Sequence, residues 1–119
     1  MNKTQNYRWL AVAGLLLASA ALAADPPRPL SGRELAFDNR LGNCLACHAI
    51  PGDATAVTDT NIGPPLFAMK ERFPERKVLH DKIWDATQTN PHTAMPPFGK
   101  HGGLKDEQIN LIIDYLYGL

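Results

Sequence analysis

The sequence predicts an all-α domain, and three observations carry that prediction. Ile109, Ile112, Ile113 and Leu116 stand at offsets 0, 3, 4 and 7, the apolar stripe of a helix laid on a core. Ser31 and Glu34 have capping-box spacing immediately ahead of Leu35, Ala36 and Phe37. No repeat, coiled-coil heptad or strand pair is visible anywhere along the 119 residues.

Residues 1–23 have the plan of a secretory signal peptide. Lys3 and Arg8 precede an uncharged run, and Ala21, Leu22 and Ala23 place small residues where cleavage needs them. The run over residues 9–24 falls short of the ~18–20 residues that span hydrocarbon, which argues against an uncleaved anchor. Export to the periplasm, with no membrane span after cleavage, is therefore expected. Pro26, Pro27 and Pro29 make residues 24–30 an extended leader, and one folded domain is expected over residues 31–119.

Within that domain the first helix is expected from residue 32 to about residue 40. Gly42 and Asn43 turn the chain into Cys44-Leu45-Ala46-Cys47-His48, and Pro51-Gly52 ends the segment. Residues 53–61 lack a sustained period and read as a loop, closed by Gly63-Pro64-Pro65. A short helix over residues 66–72 stops before Pro74. A longer one over residues 75–87 is expected to bury Val78, Leu79 and Ile83, with Trp84 beside them. Three prolines and three glycines in residues 90–103 exclude regular structure but stiffen a loop with Met95 at its centre. The last helix is expected over residues 106–117, with Asp106 and Glu107 at its positive end.

A chain of this size builds a thin core and normally needs a staple. Twelve basic and twelve acidic residues cancel, and loss of Lys3 and Arg8 with the leader tips the balance slightly acidic, so nothing recommends nucleic acid or an anionic membrane as a partner. The two cysteines, Cys44 and Cys47, would close only a tiny loop if bridged, which constrains the unfolded chain little.

Cys44-x-x-Cys47-His48 is instead the pattern of covalent c-type haem attachment. Two thiols three residues apart lie about one helical turn, roughly 5 Å, from each other, suited to the two vinyl groups on one porphyrin edge. His48 follows where its imidazole reaches the iron. A thioredoxin-like redox pair wants a βαβ context, and tetrahedral zinc wants a second ligand pair; neither is present in the sequence. One haem c in a class I cytochrome c-like fold is therefore expected.

The sixth iron ligand has five candidates: Met69, His80, His92, Met95 and His101. Met95 stands out because Thr93-Ala94-Met95-Pro96-Pro97-Phe98-Gly99 fixes the backbone around it, so that a thioether is held with little entropy left to lose. A methionine that only fills a gap is the alternative. Imidazole opposite thioether raises the potential and leaves no open iron position, which points to electron transfer. In c-type cytochromes a Gly-Pro-x-Leu segment commonly offers a proline carbonyl to the iron-bound histidine, which makes Pro64 the candidate acceptor for His48. Phe37, Tyr115 and Leu116 are the expected partners where the terminal helices cross.

Gly42-Asn43-Cys44-Leu45-Ala46-Cys47-His48, Asn61-Ile62-Gly63-Pro64-Pro65-Leu66, Ile83-Trp84-Asp85-Ala86 and Asn90-Pro91-x-Thr93-x-Met95-Pro96-Pro97-Phe98-Gly99 together resemble SoxX, the small cytochrome subunit of the thiosulfate-oxidising SoxAX complex. The similarity runs from about residue 35 to the end. Lys105 departs from common cytochrome patterns, where a Ser or Thr often caps the last helix. The resemblance implies a SoxA-like partner, a monohaem or dihaem cytochrome subunit forming a heterodimer, on which thiosulfate is joined oxidatively to a carrier-protein cysteine. This chain, with no catalytic centre of its own, would be the electron-transfer subunit of an L-cysteine S-thiosulfotransferase and would pass electrons to a soluble cytochrome. A free monohaem carrier of a respiratory chain shares every ligand, and a haem enzyme or gas sensor would need an open iron. Lys70, Arg72, Arg76, Lys77 and Lys82 read either as a docking patch or as a solvated helix face.

Overall fold

The computed structural model describes residues 28–119; the signal-peptide residues and the start of the leader lie outside them. Four α-helices follow in order: α1 (Gly32–Phe37), α2 (Met69–Arg72), α3 (Arg76–Trp84) and α4 (Asp106–Tyr117). Short 3-10 turns lie at Cys44–Ala46 and Ala86–Gln88, and there is no strand among the described residues. The domain is all-α, as the periodicity predicts.

Each helix end has a local cause. Ser31 and Glu34 form the full capping box of α1, the hydroxyl accepting from Glu34 N–H and the carboxylate accepting from Ser31 N–H at 2.8 Å. Arg28 pairs with the same carboxylate, and it holds Glu34 far below the usual carboxylate range, with Ser31 adding to the effect. Helix α1 ends at Phe37 rather than near residue 40, because Asp38 turns extended and its carboxylate accepts from Arg40 N–H at 2.7 Å. That local bond competes with the next helical turn.

The short helix starts at Met69 rather than residue 66, since Ala68 sits in the left-handed region (φ 47°, ψ 41°). Helix α3 stops at Trp84 because the Asp85 carboxylate captures Thr87 N–H, and the chain continues as the 3-10 turn. Val78, expected inside, is 45% exposed; Leu79 and Ile83, one turn apart, form the buried face of α3.

The core joins Leu35 and Ala36 of α1 to Leu79 and Ile83 of α3 and to Ile109, Ile112, Ile113 and Leu116 of α4, with Met69 and Leu104 completing it. The terminal helices cross at very close range. A Cβ on Gly32 would stand 1.8 Å from the Leu111 carbonyl oxygen, so only glycine lets the two backbones touch there. Phe37 meets Tyr115 edge to face, with ring centroids 6.1 Å apart. Arg33 lies over the Phe37 ring and binds Asp53 at 2.6 Å, and Tyr115 donates its hydroxyl to the same carboxylate at 2.9 Å. The loop after His48 is thereby tied to both terminal helices.

Candidate functional site

Asn43, in the left-handed region (φ 45°, ψ 38°), swings the chain from α1 into the turn that carries Cys44, Cys47 and His48. The turn is closed by Cys47 N–H and His48 N–H, both donating to the Cys44 carbonyl at 3.1 and 2.8 Å. Both thiols and the imidazole therefore project from one tight turn. Neither cysteine is in a disulfide, and burial pushes the Cys44 thiol up to about 11, so it stays protonated at neutral pH.

The segment that follows laces itself onto this turn. Gly63 N–H donates to Cys47 O at 2.7 Å and Leu66 N–H to Ala49 O at 2.8 Å. The hydroxyls of Thr58 and Thr60 donate to the carbonyls of Leu45 and Ala46, each at 3.1 Å. The sequence marks these two threonines only by their Thr-x-Thr spacing inside a loop without periodicity. His48 Nδ1 lies 2.6 Å from the Pro64 carbonyl. A carbonyl only accepts, so Nδ1 carries the proton and Nε2 is left with the lone pair that can bind a metal. A Cβ on Gly63 would stand 2.4 Å from His48 Cε1; glycine is what allows the backbone to lie against the imidazole.

Cys44, Cys47, His48, Pro64 and Met95 all line one cavity of about 760 Å³, within the ~300–1,000 Å³ usual for cofactor sites. Leu79, Ile83, Leu104, Ile112 and Leu116 give it an apolar floor. Met95 is half-buried, packs on the core and has its N–H on the Thr93 hydroxyl at 3.1 Å. Of the other candidates for a sixth ligand, Met69 is buried in the cavity wall with its sulfur 3.5 Å from Arg72, and His92 is exposed at the rim. His80 stacks on Trp84 and bonds Asp106 at 2.8 Å, and His101 is exposed; neither lines the cavity.

Two thiols, one imidazole nitrogen and one thioether around an apolar slot form a donor set that suits haem c, which supplies a one-electron couple when bound. Four of the five basic residues Lys70, Arg72, Arg76, Lys77 and Lys82 bond to neighbours in the fold. Arg72 bonds the carbonyls of Pro65 and Phe67, Arg76 bonds Asn110 and Asp114, Lys77 bonds Asp81, and Lys82 bonds Thr89.

Comparison with known proteins gives a c-type cytochrome domain. Residues 29–116 match the family model described as cytochrome C oxidase, cbb3-type, subunit III. A relative from Aquifex aeolicus (strain VF5), described as an uncharacterized lipoprotein, is 34% identical over 79 residues. That alignment covers 66% of this chain but 37% of the relative, so the chain spans little more than a third of that protein's length. With the match covering most of its length, the chain belongs to this family of c-type cytochrome domains, which transfer electrons through haem c.

Proposed function

We propose that this chain is an exported, periplasmic monohaem cytochrome that serves as the electron-transfer subunit of a SoxAX-like thiosulfate-oxidising complex. In this reading Cys44 and Cys47 attach the haem, His48 Nε2 and Met95 Sδ are the axial ligands, and Pro64 orients the histidine. The observation that carries it is the convergence of the quoted sequence words on one cavity: the Cys44–His48 turn, Gly63-Pro64-Pro65-Leu66 and the Met95-Pro96-Pro97-Phe98 loop. Export has the support of the leader sequence and of a relative described as a lipoprotein.

The role is electron uptake. Joining thiosulfate to a cysteine thiol forms a sulfur–sulfur bond and releases a proton and two electrons. With both cysteines committed to haem, the chain keeps no thiol to carry the sulfur, and a six-coordinate iron offers thiosulfate no site. The purified holo-protein should exchange electrons with a small soluble cytochrome but conjugate no thiosulfate until a SoxA-like subunit is added. Turnover by the isolated chain, or no gain when the partner is supplied, would overturn the proposal. The match to an oxidase subunit family supports the respiratory part of a second reading, a free monohaem carrier of a respiratory chain. Co-purification from the periplasm separates the two: a larger haem protein retained through purification supports the first, and a solitary cytochrome supports the second.

A further inference from the structure

Trp84, Asp85 and Ala86 take no part in haem attachment or axial ligation, yet both ends of the Met95 loop return to them. At its entry Asn90 N–H donates to Ala86 O at 3.1 Å. At its exit Gly99 N–H and Lys100 N–H both donate to Trp84 O at 3.2 Å. Gly99 lies so tightly on the Trp84 ring that a Cβ there would meet it at 2.1 Å.

Between these ties sits Asp85, 2% exposed and the one buried charged side chain among the described residues. Its Oδ2 accepts from Lys100 Nζ at 2.7 Å, and its Oδ1 accepts from Thr87 N–H at 3.1 Å and from the Thr87 hydroxyl. Lys100 first, then Thr87, hold the carboxyl down to about 2, so it is charged throughout the neutral range.

An ion pair with one buried partner is a poor route to stability, since an apolar side chain in the buried place often does as well. It is a good route to a fixed geometry, because once either partner moves the other is left as a buried or dangling charge. Met95 needs such help. A thioether is a weak hydrogen-bond acceptor and has no second polar atom to orient it, in contrast to an imidazole, so its position depends on the loop and on non-directional apolar packing.

We propose that Asp85, acting through Lys100, is a positioning residue for the Met95 thioether: the ion pair between the buried Asp85 carboxylate and the partly exposed Lys100 clamps the exit of the loop and sets how firmly the sulfur would hold the iron. The inference rests on the assignment of Met95 as a ligand. Loosening the clamp weakens the methionine and leaves the His48 side untouched.

The test uses the haem-loaded protein and imidazole, titrated against ferric iron and followed by loss of the methionine-to-iron charge-transfer band. Asp85→Asn and Lys100→Met should each raise imidazole affinity roughly tenfold, the equivalent of one charge-assisted hydrogen bond. The double variant should match the singles rather than multiply them, and Lys100→Arg should restore the native value. Arg33→Gln, which breaks the ion pair to Asp53 on the terminal-helix side, should lower thermal stability without changing the titration. If Asp85→Asn yields no holo-protein, Lys100→Met alone decides, because the Lys100 side chain is more than half exposed and tolerates replacement. Clamp variants that melt earlier but titrate as the native protein sink the clamp. Met95→Ala is the reference: if the band survives in that variant, the ligand assignment falls and the clamp with it, whereas a band lost there and unchanged in the clamp variants removes the clamp alone.

Discussion

The histidine and methionine walls of the cavity are secured by different physics. His48 carries its own anchor, a 2.6 Å bond from Nδ1 to Pro64 O, and the segments on either side are cross-laced by the Gly63, Leu66, Thr58 and Thr60 bonds. Met95 has no such bond from its side chain, only apolar packing and its loop, stiffened by Pro96 and Pro97 and pinned at both ends to Trp84, Asp85 and Ala86. A ligand with a direct second bond keeps its place when the fold breathes, and one held through its backbone keeps it only as well as the backbone does. The histidine side is thus the fixed point of the site and the methionine side its adjustable one.

The largest expected effect breaks the comparison at its root. Replacing Cys44 and Cys47 together by Ser should abolish covalent haem, read as haem lost into acidified organic solvent from the denatured protein. Met95→Ala should keep the haem through the same extraction but lower the potential and let carbon monoxide bind to the reduced iron. Met69→Ala should do neither. Carbon monoxide binding in Met69→Ala, with Met95→Ala inert, would move the ligand to the helix α2 side of the cavity.

A smaller effect probes the fixed side. Gly63→Ala would place a methyl group 2.4 Å from His48 Cε1 and 2.6 Å from Nδ1, so the ring or the strand of chain beside it must shift. We expect about 1–3 kcal/mol of destabilisation in urea unfolding, together with a changed ferric haem spectrum. Native stability in this variant would show that the histidine wall gives as readily as the methionine wall, and the distinction between them would fall.

Which parts of this arrangement the sequence reveals follows from how local their causes are. Helix α4 runs over the residues its apolar stripe predicts, and the Ser31 box starts α1 where expected, because both signals lie within the element itself. The misjudged ends depend on competing side-chain bonds. Asp38 stops α1 by holding Arg40 N–H, and Asp85 stops α3 by holding Thr87 N–H; an Asp in either place reads equally well as a solvated helix residue. Val78 fits a helical stripe as well as Leu79 does, and only the direction from which α4 packs on α3 leaves it outside. At the site, Cys44, Cys47, His48, Pro64 and Met95 stand out as residue types in a spaced pattern. The clamp does not, since Asp85 and Lys100 are fifteen positions apart and have meaning only once the loop has folded back.

The smallest expected effect sharpens the comparison at the far end of the methionine loop, where Leu104 N–H closes it by donating to Phe98 O at 3.0 Å and the chain enters α4. Lys105 occupies the N-cap of α4 with suitable extended backbone (φ −78°, ψ 161°), but it has no side-chain oxygen to accept a helix N–H. Half of a capping box is already in place, with the Gln108 side chain accepting from Lys105 N–H at 2.9 Å. Lys105→Ser supplies the other half, an acceptor for Gln108 N–H, and removes an ammonium from the positive end of the helix. A gain of about 0.5–1 kcal/mol in urea unfolding at unchanged slope is expected. The imidazole titration of ferric iron should stay at the native value, because the methionine is governed by the clamp at Asp85 and not by the firmness of α4. Raised resistance to imidazole in Lys105→Ser would place the decisive anchor of the loop at the start of α4 instead, and a loss of stability would show that the Lys105 side chain serves α4 better than a cap does.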